Sequence, residues 1–177
     1  MEYLDVLDEN GDSTGESKSR DEVHKKGIWH RTVHVWILNS RNELLLQKRA
    51  SRVISWPDMW DISVAGHIVS GDNSFYTVLK ETEEEIGLKL GKNDFQFLFT
   101  VKNSITINNG TYINNEFNDV YLIKKDLNIS DLFFQKEEVS KMEWIRFKEL
   151  ERRIKSGDKT IVPQPEEYEK LFSYLKK

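Results

Sequence analysis

The chain has 177 residues, 26 Lys+Arg against 30 Asp+Glu, a net charge of −4 and no cysteine. That length suits one domain with a sizeable core, while the missing cysteines exclude disulfides, thiolate metal sites and a cysteine nucleophile. The slightly acidic balance gives no electrostatic case for nucleic acid or a bilayer, and without a signal-peptide core or a long apolar run the expected location is cytoplasmic.

Residues 3–7 (YLDVL) alternate like a short strand, and the DENGDSTG that follows reads as a turn pivoting on Asn10-Gly11. Asp21 to Lys26 is polar and suits a short helix or a loop. Residues 31–38 (RTVHVWIL) and 43–48 (ELLLQK) read as two strands joined by a turn at Asn39–Asn42, and a third apolar run covers 61–65. Further along, 95–102 and 104–108 are strand candidates. Asn108-Asn109-Gly110 signals a hairpin, and 111–123 returns as a long strand. Residues 142–147 form a final strand before helical patterns at 147–156 and 165–176. Mixed strands with a few helices argue for an α/β or α+β sandwich.

Between these elements lies the most telling stretch, 66–88, GHIVSGDNSFYTVLKETEEEIGL. Glu81, Glu84 and Glu85 fall at i, i+3 and i+4, which stacks three carboxylates on one helical face. Like charges so placed destabilise a bare helix. A shared hard cation such as Mg²⁺, which takes oxygen ligands and bridges to phosphates, relieves them. Phe75, Val78, Leu79, Thr82 and Ile86 form the complementary core stripe. Asp72, Asn73 and Ser74 are N-cap candidates, and Gly87 stands where a helix ends in the left-handed conformation. A solvated acidic face is the bland alternative; the flanking glycines and caps favour a site.

The stretch resembles the Nudix box, G-x5-E-x7-R-E-U-x-E-E-x-G-U, where U is a bulky aliphatic residue. Gly66, Glu81, Glu84, Glu85, Gly87 and Leu88 match; Asp72 replaces the first Glu, Lys80 the Arg, and Thr82 the aliphatic. The family's arginine is expected to hold a box glutamate by paired hydrogen bonds, which a lysine replaces with a flexible point charge. Ile28-Trp29-His30-Arg31, Leu46-Gln47-Lys48-Arg49, Trp56-Pro57-Asp58-Met59-Trp60-Asp61 and Ala65-Gly66-His67 are similar to a branch that includes isopentenyl diphosphate isomerases. Those enzymes transfer a proton with a cysteine, for which this chain has Ala65. Their metal-holding histidines fall near His24, His30 and His67, with a one-residue shift between the first two. Of their later carboxylate pair, Asn114 and Glu116 keep one.

The resemblance implies a single Nudix-like α/β/α sandwich with a mixed sheet, preceded by a hairpin extension over about residues 1–28. It implies hydrolysis of a diphosphate linkage in a nucleoside diphosphate derivative or another small diphosphate. Glu81, Glu84 and Glu85, with the carbonyl of Gly66, would hold Mg²⁺ or Mn²⁺, and Glu84 or Glu116 would accept the proton of the attacking water. Arg49, with its fork geometry, and Lys48 are phosphate-binding candidates. His67 suits a phosphate or metal contact and Glu116 the cleft. Trp56 and Trp60 are either core packing or a pocket wall, with Trp60 taken as a substrate contact. His30 and His34 read as satisfied, half-buried strand residues. Isomerase chemistry is the alternative that Ala65 disfavours, and a silent binding module the one that Lys80 motivates. The aromatics near the N-terminus leave room for a homodimer.

Overall fold

The computed structural model describes residues 1–177. The first strands, β1 (Tyr3–Leu7) and β2 (Ser13–Ser19), form a separate antiparallel hairpin, and α1 (Arg20–Lys26) follows. The turn between them is held by Asp8, whose Oδ1 accepts from the N–H groups of Asn10 (2.8 Å) and Asp12 (3.0 Å). Strand β2, STGESKS, is the second arm of a hairpin within the extension expected over about residues 1–28, and it begins inside the stretch read as a turn. Its residues are polar and mostly exposed, so only pairing with β1 reveals it.

The main sheet has seven strands: β3 (His30–Leu38), β4 (Glu43–Arg49), β5 (Trp60–Asp61), β6 (Val64–His67), β7 (Phe95–Ile107), β8 (Tyr112–Lys124) and β9 (Val139–Arg146). Strand β3 is central. It runs parallel to β8 and antiparallel to β6, which pairs with no other strand. The run at 61–65 is therefore two short strands, the second passing through Gly66. The two strands expected at 95–102 and 104–108 are one, because Asn103 stays in register opposite Glu116; the only irregularity is at Phe97/Phe99.

Helix α2 (Ser74–Ile86) covers one face of this sheet, packing Val78 and Ile86 against Val33, Val35 and Ile37. On the other face lie α3 (Phe147–Lys155) and α4 (Pro165–Leu175), whose Leu150, Tyr168, Leu171 and Phe172 pack with Trp36, Leu46 and Leu122. The expected helix-flanked mixed sheet is thus present, with four α-helices. In the core stripe of α2, Phe75 and Leu79 are only partly buried. Thr82 is fully buried and its hydroxyl has no partner, a cost of about 1–3 kcal/mol. No helix is long and apolar enough to cross a membrane.

Candidate active site

Helix α2 begins at Asn73, whose side chain accepts from the Tyr76 N–H (2.9 Å), and ends at Gly87 with φ 70°. With Val78 and Ile86 turned into the core, Glu81 and Glu85 face β6 and Glu84 faces solvent. Gly66 is required there: a Cβ on it would lie 2.4 Å from both Cγ and Cδ of Glu81. Burial pushes the Glu81 carboxyl up to about 7, opposed by Lys80 and reinforced by Glu84. Burial also drives Glu85 well above its ordinary value, with Glu81 and Glu138 adding repulsion. Oxygen Oε2 of Glu85 is buried with no hydrogen-bond partner. Lys80 forms no ion pair, consistent with the loss of the arginine's two-pronged grip. Crowded carboxylates with an orphan oxygen suit a divalent cation.

A second cluster forms around His67, the residue after Gly66 on β6. Helix α1 is capped by Ser19, which accepts from the Glu22 N–H (3.3 Å), and it turns His24 inward. His24 Nδ1–H donates to the carbonyl of Arg20 (2.8 Å) and His30 Nδ1–H to that of Ile28 (2.9 Å). Because a carbonyl can only accept, both rings point an Nε2 lone pair inward. His67 Nε2 lies 3.2 Å from His24 Nε2, and Glu116 Oε1 lies 3.5 Å from His30 Nε2, itself buried without a hydrogen-bond partner. Ligand atoms of His24, His30, His67 and Glu116 all lie within 4.8 Å of one another. Burial lowers His24 and strongly lowers His67, a direction that favours the neutral imidazole a metal needs. Burial opposes ionisation of Glu116, but whenever a neighbouring ring carries a proton, His30 above all, its attraction lowers the carboxyl below the usual value. The donors, their backbone supports and the orphan nitrogen fit a metal centre.

Both clusters open onto one cavity of about 140 Å³, lined by Gly66, His67, Glu85, Arg49, Asn114 and Glu116 among others. It adjoins a broader cleft whose rim carries Arg20, Lys25, Arg49 and Arg52. Arg49 is fixed by Ser55 (2.8 and 2.9 Å) and Asp61 (3.0 Å). Lys48 and Trp60 do not reach this cavity. They pair with each other across β4 and β5, so pleating puts them on the face opposite Gln47, Arg49 and Asp61. Trp60 packs on the core under the Lys141 ammonium (5.6 Å), and Trp56 lines the cavity instead. Glu84, expected among the metal ligands, stays exposed outside it. Sequence reasoning missed Arg20, Glu138 and Tyr112, whose ring stacks on His24 (4.5 Å, 15°). Glu138 follows Glu137 in a run that reads as solvated charge; nothing local separates them.

A family model described as the NUDIX domain matches residues 28–164. Nudix hydrolase 3 of Arabidopsis thaliana is 43% identical over 99% of this chain, which spans only 23% of the plant protein. An uncharacterized Nudix hydrolase of Listeria monocytogenes is 34% identical over 89% of this chain and 88% of its own length. The isopentenyl-diphosphate Delta-isomerase of Pectobacterium atrosepticum is 30% identical over 84% and 79%. A solved structure from Deinococcus radiodurans shares the fold with a TM-score of 0.70 over 95% of this chain and 96% of its own, at 22% identity. With the domain matched over most of the chain and relatives aligned along most of their own length, this protein belongs to the Nudix family of hydrolases.

Proposed function

We propose that this Nudix enzyme hydrolyses a diphosphate linkage in a small molecule, a nucleoside diphosphate derivative being the first class to test, in a reaction that depends on Mg²⁺ or Mn²⁺. The observation that carries the reading is the buried, unpartnered carboxylate oxygen of Glu85, set beside Glu81 against a glycine that admits no side chain. Glu81, Glu85 and the carbonyl of Gly66 would hold the cation, with Glu84 near Glu81 on the solvent side. When bound, such an ion neutralises a diphosphate and acidifies a coordinated water. Arg49 and Arg20 supply cationic contacts for phosphate oxygens. Glu138, near Glu81 and Glu85, or Glu116, beside the histidines, would accept the water's proton; both line the cavity.

His24, His30, His67 and Glu116 would hold a second ion, a centre similar to the one expected of the isomerases. That likeness favours isomerisation as a second reading, but Ala65 has no proton to transfer. The test is release of phosphate or nucleotide from a panel that includes ADP-ribose and isopentenyl diphosphate, with Mg²⁺ or Mn²⁺. Hydrolysis that disappears in Glu85→Gln while the fold persists is the expected result. Full activity in that variant refutes the site, and a dimethylallyl product refutes the reaction.

A further inference from the structure

Strand β3 carries its even-numbered side chains on one face. His30 belongs to the histidine cluster, Thr32 donates to Asn118 (2.8 Å), and Trp36 lies in the core. His34 stands between them, unused by either metal site. Its Nδ1 lies 2.7 Å from Glu167 Oε2 on α4, and the Trp36 indole N–H donates to the other oxygen at 2.8 Å. Glu167 is 1% exposed and has no Lys or Arg partner. A carboxylate so buried needs a countercharge, and His34 is the one ionisable group bonded to it. The ring is 5% exposed, yet it lines the cavity, and its Nε2 makes no hydrogen bond within the protein. Ala65 lies opposite it in register on β6 and lines the same cavity. Burial opposes the charged ring, but the Glu167 carboxylate outweighs it and holds His34 above its ordinary value.

We propose that His34 is a substrate-contacting residue whose Nε2–H grips a diphosphate oxygen at the cavity wall, with Glu167 as the positioning residue that fixes the ring from behind. The assignment rests on the diphosphate reading above. A pair needed only for packing would have no reason to leave one ring nitrogen unbonded on the cavity that both metal clusters share.

His34→Asn keeps an amide donor toward Glu167 and removes Nε2, whereas His34→Gln places an amide near the Nε2 position. The probe is methylenediphosphonate with Mg²⁺, followed by calorimetry and by the ring ¹⁵N signals of His34. The wild-type signals should shift on saturation. His34→Asn should bind the probe about 10- to 100-fold more weakly, the loss of one charge-assisted hydrogen bond. His34→Gln should recover part of that loss, and Glu167→Gln should weaken binding less than His34→Asn. Unchanged probe affinity in folded His34→Asn, or ring signals that do not move in the wild type, overturns the assignment. Should His34→Asn fail to fold, the wild-type ring signals decide. If the wild type binds the probe through His34 but hydrolyses nothing, the hydrolase reading fails and this contact stands. If no diphosphate binds, both fail.

Discussion

Stripping divalent cations and raising the pH should destabilise this protein through Glu81. Burial pushes its carboxyl from the ordinary 4.5 up to about 7. Between those values the folded chain holds a proton that the unfolded chain has already released, so stability falls as pH rises through that window. The full displacement is worth about 3 kcal/mol, less whatever water on the open side of the carboxyl screens. For a chain of this size that is a drop of roughly 6–12 °C in melting temperature. Glu81→Gln removes this titration and the repulsion that Glu81 exerts on Glu85, so thermal unfolding of both proteins in chelator from about pH 4 to 9 reads the two carboxyls as a coupled pair. The variant's advantage should be small at the acid end and level off above pH 8. His24 and His67, held below their ordinary value, act oppositely: their stabilisation is lost as pH falls below 6.5. Both proteins retain them, so they cancel in the difference. Mg²⁺ or Mn²⁺ at pH 8 should restore the wild type more than the variant, because the ion binds the ionised carboxylate. A pH-independent difference, or a variant less stable than wild type at pH 8 in chelator, refutes the reasoning.

Gly66→Ala would bring a methyl within 2.4 Å of Glu81 Cγ and Cδ, where ordinary contact begins at 3.4 Å, so the carboxylate arm must move by about 1 Å. A shift of that size costs about 100-fold in kcat/KM with little change in thermal unfolding, since the arm can rotate; activity within threefold of wild type would contradict this. Glu167→Ala leaves His34 Nδ1 and the Trp36 indole N–H buried and unpaired. Urea unfolding should show a loss of about 3 kcal/mol, and a loss under 1 kcal/mol would show that the pair contributes little to the fold.

The legible parts of the fold were those with local signals. Helix α2 lies where its caps and apolar stripe place it, because Asn73, Val78, Ile86 and Gly87 act within a few turns of one another. Strand β2, although a hairpin was expected there, could not be delimited, since STGESKS buries nothing and owes its conformation to its partner. Arg49 and Lys48 were both read as phosphate ligands, Arg49 the better for its fork, and Trp60 rather than Trp56 as the substrate contact; only Arg49 and Trp56 line the cavity. Pleating separates adjacent strand residues onto opposite faces, and only the register with β5 and β9 says which face meets the cavity. Lys80, standing where the family's arginine is expected, forms no ion pair with the box carboxylates, and only an activity assay tests what that costs.

By itself the sequence determined the family, the carboxylate triplet and the glycine at its approach, because all are encoded in one short segment with fixed helical spacing. Tertiary structure decided which of these carboxylates are buried. Neighbouring positions on a helix differ by about 100°, so packing Val78 and Ile86 inward buries Glu85 and leaves Glu84 in solvent. It also gathered His24, His30, His67 and Glu116 from four elements, and set Glu167 of the last helix behind His34. Contacts between residues so far apart in the chain are made by the sheet and the layers on it, which no local spacing records.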